Sequence, residues 1–376
     1  LNNRTIILFT SSFPYGYGEQ FIETELKFLA GSFTKICIFP YHYGGTMEKR
    51  QGLPENVFVY KPFRDESHNL LKLFLKGILN TRVFLPYWND LLKHPSLLFD
   101  WRKLSLWFRS LLNCRMILGD NRLQECISKY HSGLIFYFYW GHRPSGIICG
   151  LKRFKRPIVV RFHGTDLYKE MEINRNYIPF REIVLKNTSH AVFISDNGES
   201  YIRKNYSCLP AQIQVHRLGT IDNSTFAWQP SEKLRLISCS TVDENKRIAF
   251  IANAISKLNF PVQWTHIGDG PVMQDLRKHC QAFQNGNISI ILLGRMTNHQ
   301  VHRIYQTEQF DLFINISKSE GIPFSIMEAL SYSIPVLATA VGGTSEIIDQ
   351  SCGHLLSIDF SIDKLANCII DFHSLD

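Results

Sequence analysis

Glu320 and Glu328 stand eight positions apart around Gly321-Ile322-Pro323-Phe324. Carboxylates at that spacing can accept hydrogen bonds from neutral hydroxyls on either side of a bound group. An apolar run of strand length at 310–317 is broken by Ser319-Glu320-Gly321. Pro323 fits the first turn of a helix, where its missing N–H costs nothing. The pattern predicts a helix from about 323 to 333. Its first-turn N–H groups and positive dipole end would make an anion cradle that Gly321 lets a ligand approach closely. A phosphate would sit there. Two carboxylates beside a phosphate would repel it unless each is aimed at hydroxyls flanking it, and sugar hydroxyls are the natural partners. The same two glutamates would also suit the solvated face of an amphipathic helix, so their spacing alone does not choose.

Other residues of reactive type close apolar runs elsewhere. Ser238-Cys239-Ser240-Thr241 ends one, and Lys246-Arg247 is predicted to open the helix after it. Cations at a helix start oppose its dipole, whereas fixed cations would stabilise the negative charge that a leaving nucleoside diphosphate gains. Arg161-Phe162-His163-Gly164-Thr165-Asp166 closes another run, and ligands of parallel sheets bind off the carboxyl ends of strands. A lone histidine there is also a common structural residue. Ser12-Phe13-Pro14-Tyr15-Gly16-Tyr17-Gly18-Glu19 forms a glycine-containing turn into a helix at about 20–30. It lacks the third glycine of a dinucleotide fingerprint, and the second strand ends Phe39-Pro40-Tyr41-His42 with no acidic residue for a ribose. A hydride-transferring dehydrogenase is therefore disfavoured. No Asp-x-Asp occurs, no His or Cys ligands cluster, and Asp269-Gly270 reads as a turn. Neither a divalent metal nor another cofactor is expected.

The elements that must position these residues alternate. Short apolar runs at 5–11, 35–40, 57–62, 134–140, 158–163, 191–195 and 213–218 are separated by helical or loop segments. A second series follows at 234–240, 262–268, 288–294, 311–317, 334–339 and 354–357. Continuous apolar strands split by helices predict parallel sheets buried on both faces. Asp222, Asn223, Ser224, Gln229, Pro230 and Ser231 mark 219–233 as a linker. The fold class is thus α/β, with two Rossmann-like lobes facing a central cleft, at 1–222 and 223–376.

Composition agrees. The chain has 376 residues, 45% of them hydrophobic, enough for two cores. Nine cysteines are scattered and never in Cys-x-x-Cys spacing, and they read as reduced core thiols. No window approaches a membrane span and the N-terminus shows no signal segment, so a cytoplasmic protein is expected. The net charge of +8 suits anionic partners. Much of it lies at 69–118, in Lys72, Lys76, Arg82, Lys93, Arg102, Lys103, Arg109 and Arg115, interleaved with Phe74, Phe84, Trp88, Phe99, Trp101, Trp107 and Phe108. Cationic residues among aromatics fit a surface-lying anchor on an anionic membrane, while ordinary helices with buried Trp and solvated Arg would carry the same residues. No nucleic-acid-binding motif is present, so no nucleic acid is expected.

Ser317-Lys318-Ser319-Glu320-Gly321-Ile322-Pro323, Ile326-Met327-Glu328-Ala329, Ile334-Pro335-Val336-Leu337-Ala338-Thr339 and Val341-Gly342-Gly343 with Glu346-Ile347 together resemble the signature of the retaining glycosyltransferases of family 4, whose fold is called GT-B. His163-Gly164-Thr165-Asp166, Phe193-Ile194-Ser195, Arg217-Leu218-Gly219, His266-Ile267-Gly268-Asp269-Gly270 and Leu292-Leu293-Gly294-Arg295 extend the resemblance over nearly the whole chain. It is weaker at 41–154, where acceptors bind. The resemblance implies that Glu320 contacts the donor sugar's hydroxyls and Glu328 the nucleotide ribose. Gly321, Ile322, Phe324 and Ser325 would complete that donor site, with Gly342 and Gly343 at the next turn. Gly16 and Gly18 would face donor phosphates and acceptor, and Gly294 and Arg295 the base. His163 would serve the sugar or reaction centre, and Asp166 the acceptor or its own loop. The family pattern has an arginine a few residues before its lysine, and Thr241 or a neighbour stands there instead. Lys246, helped by Arg247, would carry the phosphate contact alone, as in the bacterial capsular and exopolysaccharide-assembling branch.

The implied activity is retaining, metal-independent transfer of a sugar from a nucleotide diphosphate sugar to an acceptor hydroxyl. A lipid-linked oligosaccharide of bacterial surface polysaccharide synthesis is the expected acceptor, met at the inner face of the plasma membrane. A nucleotide-sugar epimerase, a non-catalytic sugar-nucleotide-binding subunit and a structural peripheral-membrane protein remain as alternatives. The chain opens on Leu1 and stops at Asp376 soon after its last apolar run. Family members continue through further helices, so a truncated C-terminus is expected. Ser333 stands where relatives often carry glycine.

Overall fold

The computed structural model describes residues 4–16, 18–64, 85–223, 229–284 and 286–374. Among them, the chain divides into two compact units, Leu1–Arg217 and Leu218–Asp376.

Strand β1 (Thr5–Thr10) shows why its residues read as an unbroken apolar run. Ile7 and Phe9 pack on one face with Cys37 and Phe39 of β2 (Lys35–Pro40), while Ile6 and Leu8 pack on the other with Ile36 and Ile38. Side chains alternate with a period of two, so a strand covered on both faces must be apolar throughout. Each such side chain withdrawn from water contributes about 1.5–3 kcal/mol. The remaining strands of this unit are β3 (Val57–Val59), β4 (Leu134–Phe138), β5 (Ile158–Phe162), β6 (His190–Phe193) and β7 (Gln212–Val215). All pair in parallel, in the order β3-β2-β1-β4-β5-β6-β7.

The second unit repeats the device with β8 (Leu234–Cys239), β9 (Val262–Ile267), β10 (Ile288–Gly294), β11 (Leu312–Asn315), β12 (Val336–Thr339) and β13 (Gly353–Leu356). Their order is β10-β9-β8-β11-β12-β13, again all parallel. Leu236, Ile314 and Leu337 face one core and Ile237, Phe313 and Val336 the other. In each sheet the strand order reverses once, between β1 and β4 and between β8 and β11. The carboxyl ends flanking such a reversal form the ligand crevice of an open parallel sheet. Every reactive loop singled out from the sequence leaves a strand at or next to one of these points, the Gly294 turn excepted.

All the apolar runs expected as strands form strands, several of them shorter. β12 begins after Pro335, which has no N–H for the ladder. The expected helix at 20–30 is α1 (Phe21–Ser32). In the cationic aromatic segment, Lys72, Phe74, Lys76, Arg82 and Phe84 lie outside the described residues, as does linker residue Ser224. The rest forms α2 (Leu85–Lys93), a single-turn helix at Pro95–Phe99 and α3 (Trp101–Leu118), which Asp100 caps by accepting from the Arg102 and Lys103 N–H groups. Trp107 is buried in the core, whereas Phe99 is 91% exposed and Trp101 78%, with Trp88, Leu92 and Leu98 also exposed. Among the described residues no helix is long and apolar enough to cross a membrane.

Candidate functional site

In the second unit the loops leaving β8 and β11 are fastened to each other. Asn245 donates to the Ser319 carbonyl at 3.1 Å, and the Lys318 N–H returns to the Asn245 carbonyl at 2.8 Å. This brings Lys246 Nζ to 2.5 Å from Glu320 Oε1, which also receives Asn315 Nδ2 at 3.4 Å. Both side chains are mostly buried. The cation and the carboxylate that the sequence placed in separate motifs are thus one ion pair.

Glu320 is held from behind as well. Gly342, at φ +55°, lies so close that a Cβ there would stand 1.8 Å from the Glu320 carbonyl oxygen, and the Gly343 N–H donates to the Gly321 carbonyl at 2.6 Å. Here a glycine is required both by the left-handed backbone and by the approach.

The helix after this loop is shorter than expected. α6 (Phe324–Leu330, preceded in this unit by α4, Ile248–Ile255, and α5, Asn298–Thr307) has seven residues. Pro323 caps it from outside instead of forming its first turn, and Ser333 takes φ +57° where 323–333 was expected to end. The chain reverses at that residue to enter β12, a turn for which glycine is the usual choice. Ile322 is buried, while Gly321, Phe324 and Ser325 are half-buried around the helix start.

Glu328 lies on the second turn of α6 and is 4% exposed. Its Oε1 receives Asn298 Nδ2 at 2.5 Å and stands 3.5 Å from His302 Nε2, both from α5. Burial pushes its carboxyl up to about 7, against the Asn298 hydrogen bond, which favours ionisation. Glu320 and Glu328 therefore share a pattern. Each is anchored through Oε1, and among the described residues neither Oε2 accepts a hydrogen bond.

Arg247 has a different place from the one expected. It stands at φ +52° immediately before α4, and its guanidinium donates to the carbonyls of Ile316 (2.6 Å), Ser317 (3.2 Å) and Ile358 (2.9 Å). With these donors directed at backbone carbonyls past β11 and β13, it braces the β11 loop. Gly294 ends β10 at φ +75°, its carbonyl accepting from the Gly268 N–H at 2.8 Å, and Arg295 follows on the surface.

The first unit assembles a second cluster at its own crevice. His163, just past β5, is 5% exposed, lying 4.3 Å centroid to centroid from Trp140 and 5.4 Å from Tyr139. Neither ring nitrogen has a hydrogen-bond partner among the described residues. Asp166, fully buried, accepts from the His163 N–H at 2.7 Å and the Gly141 N–H at 2.6 Å, with its Oδ2 3.7 Å from His163 Nδ1. Burial alone would raise its pKa, yet His163, His142 and the Gly141 N–H together hold it down at about 2. Asp166 thus fixes the loop that carries His163 to the end of the neighbouring β4.

Gly16 takes φ +70°, and Arg50 donates to the carbonyls of Gly16 and Gly18 at 3.1 and 2.5 Å. Glu19 is a residue the sequence did not mark. Its carboxylate accepts from the N–H groups of Ser11 (2.9 Å), Ser12 and Phe13 (2.6 Å each) and from Trp140 Nε1 (2.5 Å). It locks the Gly16–Gly18 loop to the ends of β1 and β4. Asn298 and His302 were likewise missed. Their spacing of four puts both on one face of a helix, but nothing local says that the face meets Glu328.

The sequence profile of the family described as "Glycosyl transferases group 1" matches residues 233–374. The chain is 24% identical to a candidate colanic acid biosynthesis glycosyltransferase, WcaL of Salmonella typhimurium, over 64% of this chain and 62% of that protein. It is 38% identical to the O-antigen biosynthesis glycosyltransferase WbnH of Escherichia coli over 32% of this chain and 34% of the relative. The matches thus span less than two thirds of these curated relatives. The crystal structure of Anabaena Alr3699/HepE in complex with UDP-glucose superposes with a TM-score of 0.62 at 15% identity, covering 99% of this chain and 90% of that one. Two parallel sheets, each reversing its strand order once, together with this likeness establish that the chain has the GT-B fold, with a second unit similar to the group 1 glycosyl transferases.

Proposed function

We propose that the protein is a retaining glycosyltransferase that moves a sugar from a nucleotide diphosphate sugar to an acceptor hydroxyl. The observation that carries this reading is the pair of glutamates. Each is fixed through one oxygen with the other left for a hydroxyl, and Lys246 is held against the first. A polyhydroxylated, anionic ligand matches that arrangement of acceptors and cation. UDP-glucose bound to HepE supports a uridine nucleotide as the first donor to test.

In this reading Glu320 grips the sugar and Glu328 the ribose. Gly321, Ile322, Phe324, Ser325, Gly294 and Arg295 line the donor. The acceptor oxygen attacks the anomeric carbon from the face the diphosphate leaves. The carbon–oxygen bond to diphosphate breaks, the acceptor proton passes to the departing oxygen, and Lys246 stabilises the charge left there. The chemistry asks for no metal because Lys246 supplies the cation. His163 serves the transferred sugar, Gly16 and Gly18 face the donor phosphates and the acceptor, and Asp166 serves the acceptor or its own loop.

WcaL and WbnH support bacterial surface polysaccharide synthesis as the setting. The exposed Phe99 and Trp101 beside Arg102 and Arg109 support contact with an anionic membrane on the cytoplasmic side, where a lipid-linked acceptor would be met. One observation favours a binding-only subunit: with Arg247 turned to carbonyls, Lys246 is the only one of the two cations left to the phosphates.

The test is calorimetry against a panel of nucleotide sugars, followed by transfer assays with lipid-linked acceptors. Glu320→Ala is expected to lower kcat and Glu328→Ala to raise the donor KM. Unchanged kinetics in both would refute the assignment. Binding without turnover on any acceptor would favour the non-catalytic subunit, and donor conversion with no acceptor an epimerase.

A further inference from the structure

His302 makes two contacts that the donor-site reading does not use. Its Nδ1 is 2.8 Å from the Tyr332 hydroxyl, and its Nε2 faces Glu328 Oε1 at 3.5 Å. Tyr332, just past α6, is 6% exposed, whereas the His302 side chain is 26% exposed. Hydroxyl, imidazole and carboxylate therefore run in a line from the half-open flank of α5 to the buried acid. Asn298, one turn earlier on α5, holds the same Oε1. Together they fix one oxygen of Glu328 and leave the other to a ligand.

We propose that His302 is a positioning residue for Glu328, exchanging one proton with it so that the carboxylate can be ionised when a ligand diol is bound. This rests on the reading of Glu328 as the ribose contact. A diol donates hydrogen bonds and so binds the ionised carboxylate better than the acid. Yet Glu328 is buried, and its carboxyl lies up near 7, so close to neutral pH a large fraction carries a proton. In the free protein that proton sits on the Glu328 carboxyl, and the His302 Nδ1–H donates to the Tyr332 oxygen. On binding, the Glu328 O–H bond breaks and an N–H bond forms at His302 Nε2. The pair goes from neutral and neutral to carboxylate and imidazolium, and no proton reaches solvent. Other titratable groups facing Glu328 are Cys239 at the end of β8, Tyr305 on α5 and Tyr332. Burial raises all three, which keeps them neutral and leaves His302 as the proton's destination.

Two measurements test this. Histidine-selective nitrogen NMR of the free protein across pH 5–9 should show His302 responding to a neighbouring ionisation near pH 7. That response should vanish in Glu328→Gln and weaken in Tyr332→Phe, which keeps the ring. Resonances indifferent to Glu328→Gln would overturn the proposal, whether or not any nucleotide binds. Calorimetry of UDP binding at pH 7 in buffers of different ionisation enthalpy should show almost no net proton release in the native protein and about half a proton released in His302→Gln. Equal release in the two would also overturn it. If UDP and other nucleotides fail to bind at all, the donor-site reading falls, and the NMR result still decides the coupling.

Discussion

Replacing Glu328 by glutamine should stabilise the fold at alkaline pH while removing donor affinity. The carboxyl has an ordinary pKa of 4.5 in the unfolded chain and about 7 in the folded protein, because it is buried on α6 with Asn298 as its hydrogen-bond donor. Between those values the native state holds a proton that the unfolded chain has lost. Stability from this group therefore falls as pH rises from 4.5 to about 7 and is level outside that window. At about 1.4 kcal/mol per pKa unit, the ionised side chain costs the native state about 3 kcal/mol at pH 8. Glutamine carries no charge at either pH, and its oxygen can still accept from Asn298. Glu328→Gln should thus match the native protein near pH 4.5 and exceed it by about 3 kcal/mol at pH 8. Denaturant midpoints at the two pH values would read this, with hydrogen exchange at β11 and β12 locating the gain in the second unit. Equal stability differences at both pH values would refute the claim that a buried charge is tolerated there for function.

Further expectations concern the frame of both clusters. Asp166→Asn should cost about 2–4 kcal/mol at pH 7, since an amide cannot accept from both the His163 and Gly141 N–H groups in the same geometry. The native advantage should be present above pH 3.8 and fade as pH falls through about 2, which acid titration of folding would show. Gly342→Ala should lower the melting temperature and weaken nucleotide binding, because the added carbon meets the Glu320 carbonyl oxygen at 1.8 Å. Ser333→Gly should raise stability by roughly 0.5–1 kcal/mol by relieving a left-handed residue, a gain measurable by denaturant unfolding. Replacing Phe99 and Trp101 by serine should reduce co-sedimentation with anionic liposomes by about tenfold or more per residue, at roughly 1.5–3 kcal/mol for each lost insertion, without changing the fold. Unaltered co-sedimentation would remove the case for membrane contact.

The two-sheet architecture was legible because a buried parallel strand has no polar face to disguise it. Runs such as Ile6 to Phe9 can be nothing but covered on both sides, and turn residues between them fix the count. Glu320, Lys246 and His163 could be singled out because they stand in loops that follow strands, and Glu328 because it comes next on the helix after one of them, in a recognisable order. What the sequence determined was therefore the periodicity of each element and the chemical types set at its exit.

Partners across elements were decided only by the folded chain. Lys246 meets Glu320 because β8 and β11 are neighbours at a reversal of strand order, 74 positions apart in sequence. Arg247, adjacent to Lys246 in the chain, is turned to backbone carbonyls by a left-handed residue that no local pattern announces. His302 and Asn298 reach Glu328 because α5 packs against α6, and Glu19 reaches three N–H groups because its loop folds back over β1. Hydrogen bonds and charges act through space over a few ångströms, and which residues come that close is set by strand order and helix packing, a property of the whole unit and of no segment within it.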